Sequence, residues 1–212
     1  NDPPFGMDFY IDRFRARTEL VVYAADHPGL FMRIAGALAL ASSSIVDARI
    51  FTTTDGLALD SFGIQNIEKR TAVEDAAKLK RIRKQVIKAL AGEVWPDRML
   101  ANRKSLPKRT EVFAVEPRVL INNQASRTHS VLEVNGRDRP GLLYDVTKAL
   151  KDLGLMISSA HIATYGERVV DVFYVKDMFG LKLRQPSRIK QVQRHLVAVL
   201  TEGERGSKGE AT

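Results

Sequence analysis

Apolar residues fall into the same succession of periods twice along this chain. In the second half Val131-Leu132-Glu133-Val134 reads as a strand. Leu142, Val146, Leu150 and Leu153 then recur at near-helical spacing until Gly154, a residue suited to the left-handed turn that stops a helix. Residues 157–164 and 169–175 are apolar, β-branched and aromatic, and Tyr165-Gly166-Glu167-Arg168 between them predicts a hairpin. A final helix is expected over 187–200, burying Ile189, Val192, Leu196 and Val199. In the first half the closing helix follows Thr71-Ala72-Val73-Glu74, which has the spacing of a capping box, and it carries Leu79, Ile82, Val86 and Leu90 on one face. Each half thus reads strand, helix, hairpin, helix. That is the βαββαβ order of a ferredoxin-like α+β module with its last strand short or displaced, and two antiparallel sheets with helices on one face are expected.

The two halves also share words. Asp26-His27-Pro28-Gly29-Leu30 recurs 112 positions later as Asp138-Arg139-Pro140-Gly141-Leu142. At the same offset Leu38 matches Leu150, Ile45 matches Ile157, Ile50 matches Ile162 and Thr52 matches Thr164. Beyond the next turn the offset falls to 111, aligning Asp60 and Phe62 with Asp171 and Phe173, so the two hairpin loops differ by one residue. Each repeated phrase follows a strand and opens a helix, with proline where the first helical turn accepts it. The unpaired N–H groups of a helix start can hold an anion, so the repeat marks two candidate ligand loops. Taken alone, Pro-Gly is also a common turn signal.

At 212 residues the chain has room for two small modules and their connectors, each stabilised by packing on the other. It has no cysteine, which excludes disulfides, thiolate metal sites and a cysteine nucleophile. No apolar stretch approaches bilayer-spanning length and no signal-like segment opens the chain, so a soluble chain is expected. Asn1-Asp2-Pro3-Pro4 reads as continuation from a preceding domain, and 202–212, rich in glycine and charge, reads as a disordered tail. The net charge of +8 is concentrated: residues 69–109 hold 13 basic and 4 acidic side chains. On the helix there, Lys80, Arg81, Arg83, Lys84 and Lys88 read as a solvated face or as a docking surface for an acidic neighbour. RNA recognition fits less well, because no aromatic ribonucleoprotein-type motif accompanies the charge.

Catalytic signatures are missing. His27, His129, His161 and His195 lack the spacing of helical metal ligands, and no Gly-x-Ser-x-Gly, Walker or Gly-x-Gly-x-x-Gly pattern is present. Asp60 and Asp171, each two residues before a phenylalanine and on the same sheet face, are unusual acids for apolar strands. They read as caps to nearby backbone, or as contacts to a ligand amine or a neighbouring module.

With Asp-x-Pro-Gly-Leu opening a helix in each half, the chain resembles tandem ACT domains, βαββαβ modules that commonly bind amino acids. The stretch from Ile45-Val46-Asp47-Ala48-Arg49-Ile50-Phe51 through Leu59-Asp60-Ser61-Phe62, and the second-half stretch from Ala160-His161-Ile162 through Asp171-Val172-Phe173, narrow the likeness. They resemble the C-terminal region of the bacterial bifunctional uridylyltransferase/uridylyl-removing enzymes that modify the PII nitrogen-signalling protein. The resemblance covers roughly residues 10–200. It implies a cytoplasmic regulatory region that senses glutamine, with catalysis and its Mg2+ in other domains of the parent chain and PII reached through that parent. No cofactor is expected in this chain, and membrane and nucleic-acid partners are not.

The resemblance further implies modules paired edge to edge, with ligand at the join between the loop of one and the second strand of the other. The implied positions are Asp26, His27, Pro28, Gly29 and Leu30 with Asp47, and Asp138, Arg139, Pro140, Gly141 and Leu142 with Ser159. The expected organisation is a connector at 1–17, a first ACT domain at 18–95, a linker with possible extra strands at 96–128, a second ACT domain at 129–201 and the tail. An ACT pair regulating another enzyme, of amino-acid metabolism or alarmone synthesis, is the nearest alternative, and a basic nucleic-acid-binding ferredoxin-like protein a more distant one.

Overall fold

The computed structural model describes residues 5–26, 29–51, 53, 55–93, 115–139, 141–165 and 168–205, without the side chains of 202–205. In chain order the elements are β1 (Gly6–Asp12), β2 (Arg17–Ala25), α1 (Leu30–Leu40), β3 (Ser43–Arg49), β4 (Leu57–Asn66), α2 (Ala76–Leu90), β5 (Arg118–Asn122) and β6 (Ser130–Arg137). They continue as α3 (Leu142–Asp152), β7 (Leu155–His161), β8 (Thr164–Tyr165), β9 (Arg168–Asp177) and α4 (Pro186–Arg205).

The described strands form one sheet in the order β1-β2-β4-β3-β7-β9-β6-β5, with β8 paired to the start of β9. All pairings are antiparallel. The two modules meet where β3 pairs with β7 at Ala48 and Ala160, so the two expected sheets are continuous. Helices follow in the order α2, α1, α3, α4, with α1 against α3 across the join.

The missing last strand of each module has a specific replacement. β1 pairs along the free edge of β2, and β5 along the free edge of β6. Each module is therefore built ββαββα, its outer edge covered by a strand from before the first expected one. Residues 6–12, read as connector, and 118–122, read as linker, supply these edges; 94–114 lie outside the described residues.

Alternation along the strands separates the faces. Leu20, Val22, Phe62 and Ile64 in the first module, and Leu132, Val134, Phe173 and Val175 in the second, are fully buried toward the helices. Burial of each such side chain contributes about 1.5–3 kcal/mol. A β-bulge interrupts β3 between Ile45 and Asp47, and another interrupts β7 between Ile157 and Ser159. The second hairpin is shorter than expected, because the strand breaks at Ile162 and Ala163 before β8 pairs Tyr165 with Arg168.

Helix boundaries differ in informative ways. The capping box at 71–74 does not form: Asp75 is the N-cap of α2 and accepts from the Lys78 amide at 2.7 Å, while Glu74 pairs with Arg13 at 3.1 Å. α4 starts at Pro186 and runs to Arg205, into the stretch expected as tail; 206–212 lie outside the described residues. Gly154 is left-handed at φ 67°, as its place after α3 required.

Candidate ligand site at the module seam

Each repeated loop turns on its glycine. Gly29 is the N-cap of α1 at φ 94°, and Gly141 is the N-cap of α3 at φ 81°. The left-handed turn places the glycine at the cap, so each helix begins two residues later than the proline reading required. A residue with Cβ would be strained there. Neither cap offers a side-chain acceptor to the first-turn amides. His27, Pro28 and Pro140 lie outside the described residues.

The loops reach the neighbouring module through side chains that pattern reading did not single out. In loop one, a Cβ built on Gly29 would meet Cδ of Lys151 at 2.9 Å and Cε at 3.2 Å, so the lysine at the end of α3 lies directly over the cap of α1. In loop two, Asp138 is buried enough to push its carboxyl above the usual range, and Arg70 of the first module is among the cations that oppose the shift. The first crosses the seam as a contact, the second as the influence of a charge. Their only trace in the sequence is a lysine and an arginine at unmatched places: position 39, which aligns with Lys151, is alanine, and Arg70 aligns with Leu181.

Beneath the loops lie the two strand acids. Asp60 and Asp171 are 1% exposed and face the helices. Burial raises each carboxyl to about 7; the nearby charges of Asp26 and Asp138 respectively add to the rise, and backbone N–H groups of Phe51 and Ala163 oppose it. They are caps to matching backbone, the structural alternative named above. One difference remains, since Asp60 Oδ1 is buried without a hydrogen-bond partner.

The surroundings of the two helix starts differ more. α1 has no acid in its first turn. α3 has Asp145, held by Arg139 at 2.6 Å in an ion pair that is not aligned as a hydrogen bond. Arg139 also donates to the Val199 carbonyl at 3.3 Å. Asp26 is exposed, and its amide donates to the Gly56 carbonyl at 2.9 Å.

Asp47 and Ser159 each follow a bulge near the seam, and their contacts lie on the sheet rather than at a loop. Asp47 lies against Gly63 on the sheet and accepts from Arg17 Nη1 at 3.1 Å, with Arg49 at 3.8 Å. His161 of the second module is 3.7 Å from its other oxygen, so Asp47 is itself a seam contact. Ser159 pairs with Tyr174 and is half-buried. Among the described residues no three His, Cys, Asp or Glu are placed to hold a metal ion, and no helix is long and apolar enough to cross a membrane.

A family model described as the ACR family N-terminal ACT domain matches residues 125–203. Residues 125–203 belong to the ACT-domain family. Curated relatives called bifunctional uridylyltransferase/uridylyl-removing enzyme match nearly the whole length of the ACT pair. The protein of Azospirillum brasilense is 51% identical over 95% of this chain and 22% of its own length. That of Rhodospirillum rubrum is 48% identical over 90% and 20%, and that of Gluconobacter oxydans 49% over 93% and 21%. The ACT pair thus spans about a fifth of the length of the curated relatives it matches.

Proposed function

We propose that this ACT pair is the glutamine-sensing regulatory module of an enzyme that attaches uridylyl groups to the PII nitrogen-signalling protein and removes them. The chemistry, with its Mg2+, belongs to other domains of that cytoplasmic parent. The observation that carries the reading is the seam: two loops with left-handed glycines open α1 and α3, Lys151 of the second module lies over the first, and the charge of Arg70 in the first module acts on Asp138 of the second. A ligand lodged there touches both modules. It favours whichever arrangement binds it better, as a coupling between sensing and catalysis requires. The names and extent of the relatives support the identity of the parent.

A free amino acid suits this seam by its charges. Helix-start amides and a cation receive the carboxylate, and a buried acid receives the ammonium. Charge-assisted bonds of about 1.5–3 kcal/mol each, less the cost of ordering the ligand, support roughly 4–6 kcal/mol in all, a dissociation constant near or below 1 mM. Glutamine is preferred to glutamate because its amide carries donors that a carboxylate lacks. Calorimetric titration of the 212-residue chain with a panel of amino acids tests the proposal. Glutamine should bind more tightly than glutamate, and equal or reversed affinity would refute the assignment. Nucleic-acid binding is disfavoured because much of the basic charge on and beside α2 is used internally: Arg33, Lys78, Arg81 and Arg83 all donate to backbone carbonyls.

A further inference from the structure

The turn that leads from the last strand of each module to its closing helix has the same build in both modules and opposite side chains. Between β9 and α4 the Asp177 carboxylate accepts from the Phe179 and Leu181 amides at 2.9 and 2.8 Å. The Asp177 amide donates to the Leu181 carbonyl, and the Gly180 amide to the Asp177 carbonyl. Between β4 and α2, Asn66 has the same part: its side chain accepts from the Glu68 amide at 3.0 Å, and its backbone pairs with Arg70 and Thr71 in a turn one residue longer. The first turn exposes Ile67-Glu68-Lys69-Arg70, mostly charge. The second exposes Met178, Phe179 and Leu181, at 68, 79 and 63%.

A turn of this build forms with charged side chains, so the fold does not call for three large apolar ones. Their contact with water is unfavourable, and a partner that covers them removes it. The turn is also held in place from behind. Leu183 is buried with its amide on Ser130 Oγ, and Lys182 Nζ donates to the Asn123 and Ser126 carbonyls at 2.6 and 2.7 Å. An apolar tip of fixed shape suits a shaped protein pocket, because little ordering remains to oppose binding; a bilayer would accept any shape. Phenylalanine and methionine are enriched at the centres of protein interfaces.

The flank of the tip is cationic. Among the described residues Lys176, Lys182 and Arg184 form no ion pair. Burial, and then the charges of Lys176 and Lys182, hold His129 below the ordinary imidazole range. The whole chain carries a charge of +8, so a second copy is repelled and an acidic surface attracted. Register places the tip away from the repeated loops: Ser130 pairs with Val175 at its end of the sheet and Arg137 with Arg168 at the other.

We propose that Met178, Phe179 and Leu181, flanked by Lys176, Lys182 and Arg184, dock into an apolar pocket with an acidic rim on the part of the parent enzyme outside this chain. The proposal rests on the reading of this chain as the regulatory part of a longer enzyme, and not on the identity of its ligand.

The test is photo-cross-linking in the full-length parent, without glutamine, from p-benzoylphenylalanine placed at Phe179 or, as the matched control in the first module, at Glu68. Position 179 should cross-link within the same chain, to an acidic segment outside these 212 residues, with a yield about fivefold or more above position 68. With the probe at 179, Leu181→Ser should lower that yield by about threefold or more. Arg184→Glu should lower it similarly at low salt, the difference closing at high salt. In the 212-residue chain, Leu181→Ser should leave the melting temperature within about 2 °C, which separates docking from folding. Equal yields from the two positions, no cross-link, or cross-linking from 179 chiefly to a second copy, to added PII or to phosphatidylserine-containing vesicles would overturn the proposal. Because glutamine is absent throughout, failure here leaves the glutamine reading standing, and failure of the glutamine titration leaves this one.

Discussion

Single residues carry the main departures from symmetry between the modules. Gly154 ends α3 in the left-handed region, and the aligned residue after α1 is Ser42, held at φ 54° with its side chain exposed. A residue with Cβ is disfavoured there by about 1 kcal/mol or more, so Ser42→Gly should raise the unfolding free energy by roughly 0.5–1 kcal/mol in denaturant titrations. The gain is bounded because glycine also loosens the unfolded chain. Asp60 and Asp171 give a pH-dependent expectation. Their carboxyls titrate near 7 in the folded chain and near 4 when unfolded, so the folded state holds more protons between those values. Their contribution is fully present below pH 4 and is lost as pH rises through 7. The double variant Asp60→Asn, Asp171→Asn should flatten the fall in stability between pH 4 and 8 by a few kcal/mol, read from melts across that range. A fall as steep as in the parent chain would show that other groups dominate.

Among the elements, α2 departs most from its sequence pattern. By pattern it is an amphipathic helix with a basic solvent face, but that face is divided. Lys78 donates to the Ser42 carbonyl and Arg81 to the Ala41 carbonyl, closing the end of α1. Arg83 donates to the Met7 carbonyl at 2.8 Å and lies 5.3 Å from the ring centre of Phe9, tying edge strand β1 to the helix layer. Lys80 and Lys84 are exposed. Arg83→Ala should therefore destabilise the chain by about 1–2 kcal/mol and speed hydrogen exchange in β1 above all. Lys80→Glu with Lys84→Glu should stay within about 0.5 kcal/mol of the parent stability. These two exposed positions, rather than Arg81 or Arg83, are suited to testing a docking role toward the rest of the parent enzyme, because their reversal leaves the fold intact.

For the whole molecule the decisive feature is the seam between two well-packed halves, across which the buried core is continuous. The sheet crosses it with a single paired position, Ala48 with Ala160. The helix layer crosses it where Leu40 of α1 packs on Tyr144 of α3, with Met32 and Ala39 alongside. Tyr144 is 2% exposed, and Tyr144→Ala should remove about 3 kcal/mol of packing. Because the loss falls on the seam rather than on either module, calorimetric melting should broaden or split while both modules keep their secondary structure, and glutamine binding should weaken with it. One sharp transition at lower temperature would mean that the halves fold only together.

The sequence by itself determined what is written within a few residues: helical and strand periods, the left-handed glycine at 154, the pairing of Asp60 with Asp171, and the doubling of the whole pattern. Such features depend on local sterics and on the alternation of apolar side chains, which neighbours along the chain settle between themselves. Tertiary structure alone decided which strand covers each outer edge, that Asp75 rather than Thr71 caps α2, that Arg81 and Arg83 serve the fold, and that Lys151 lies over Gly29. These outcomes depend on which edge, carbonyl or cap is left unsatisfied once the halves have packed. The partner that satisfies it can lie more than a hundred residues away, as Lys151 does from Gly29, where no period or spacing records it.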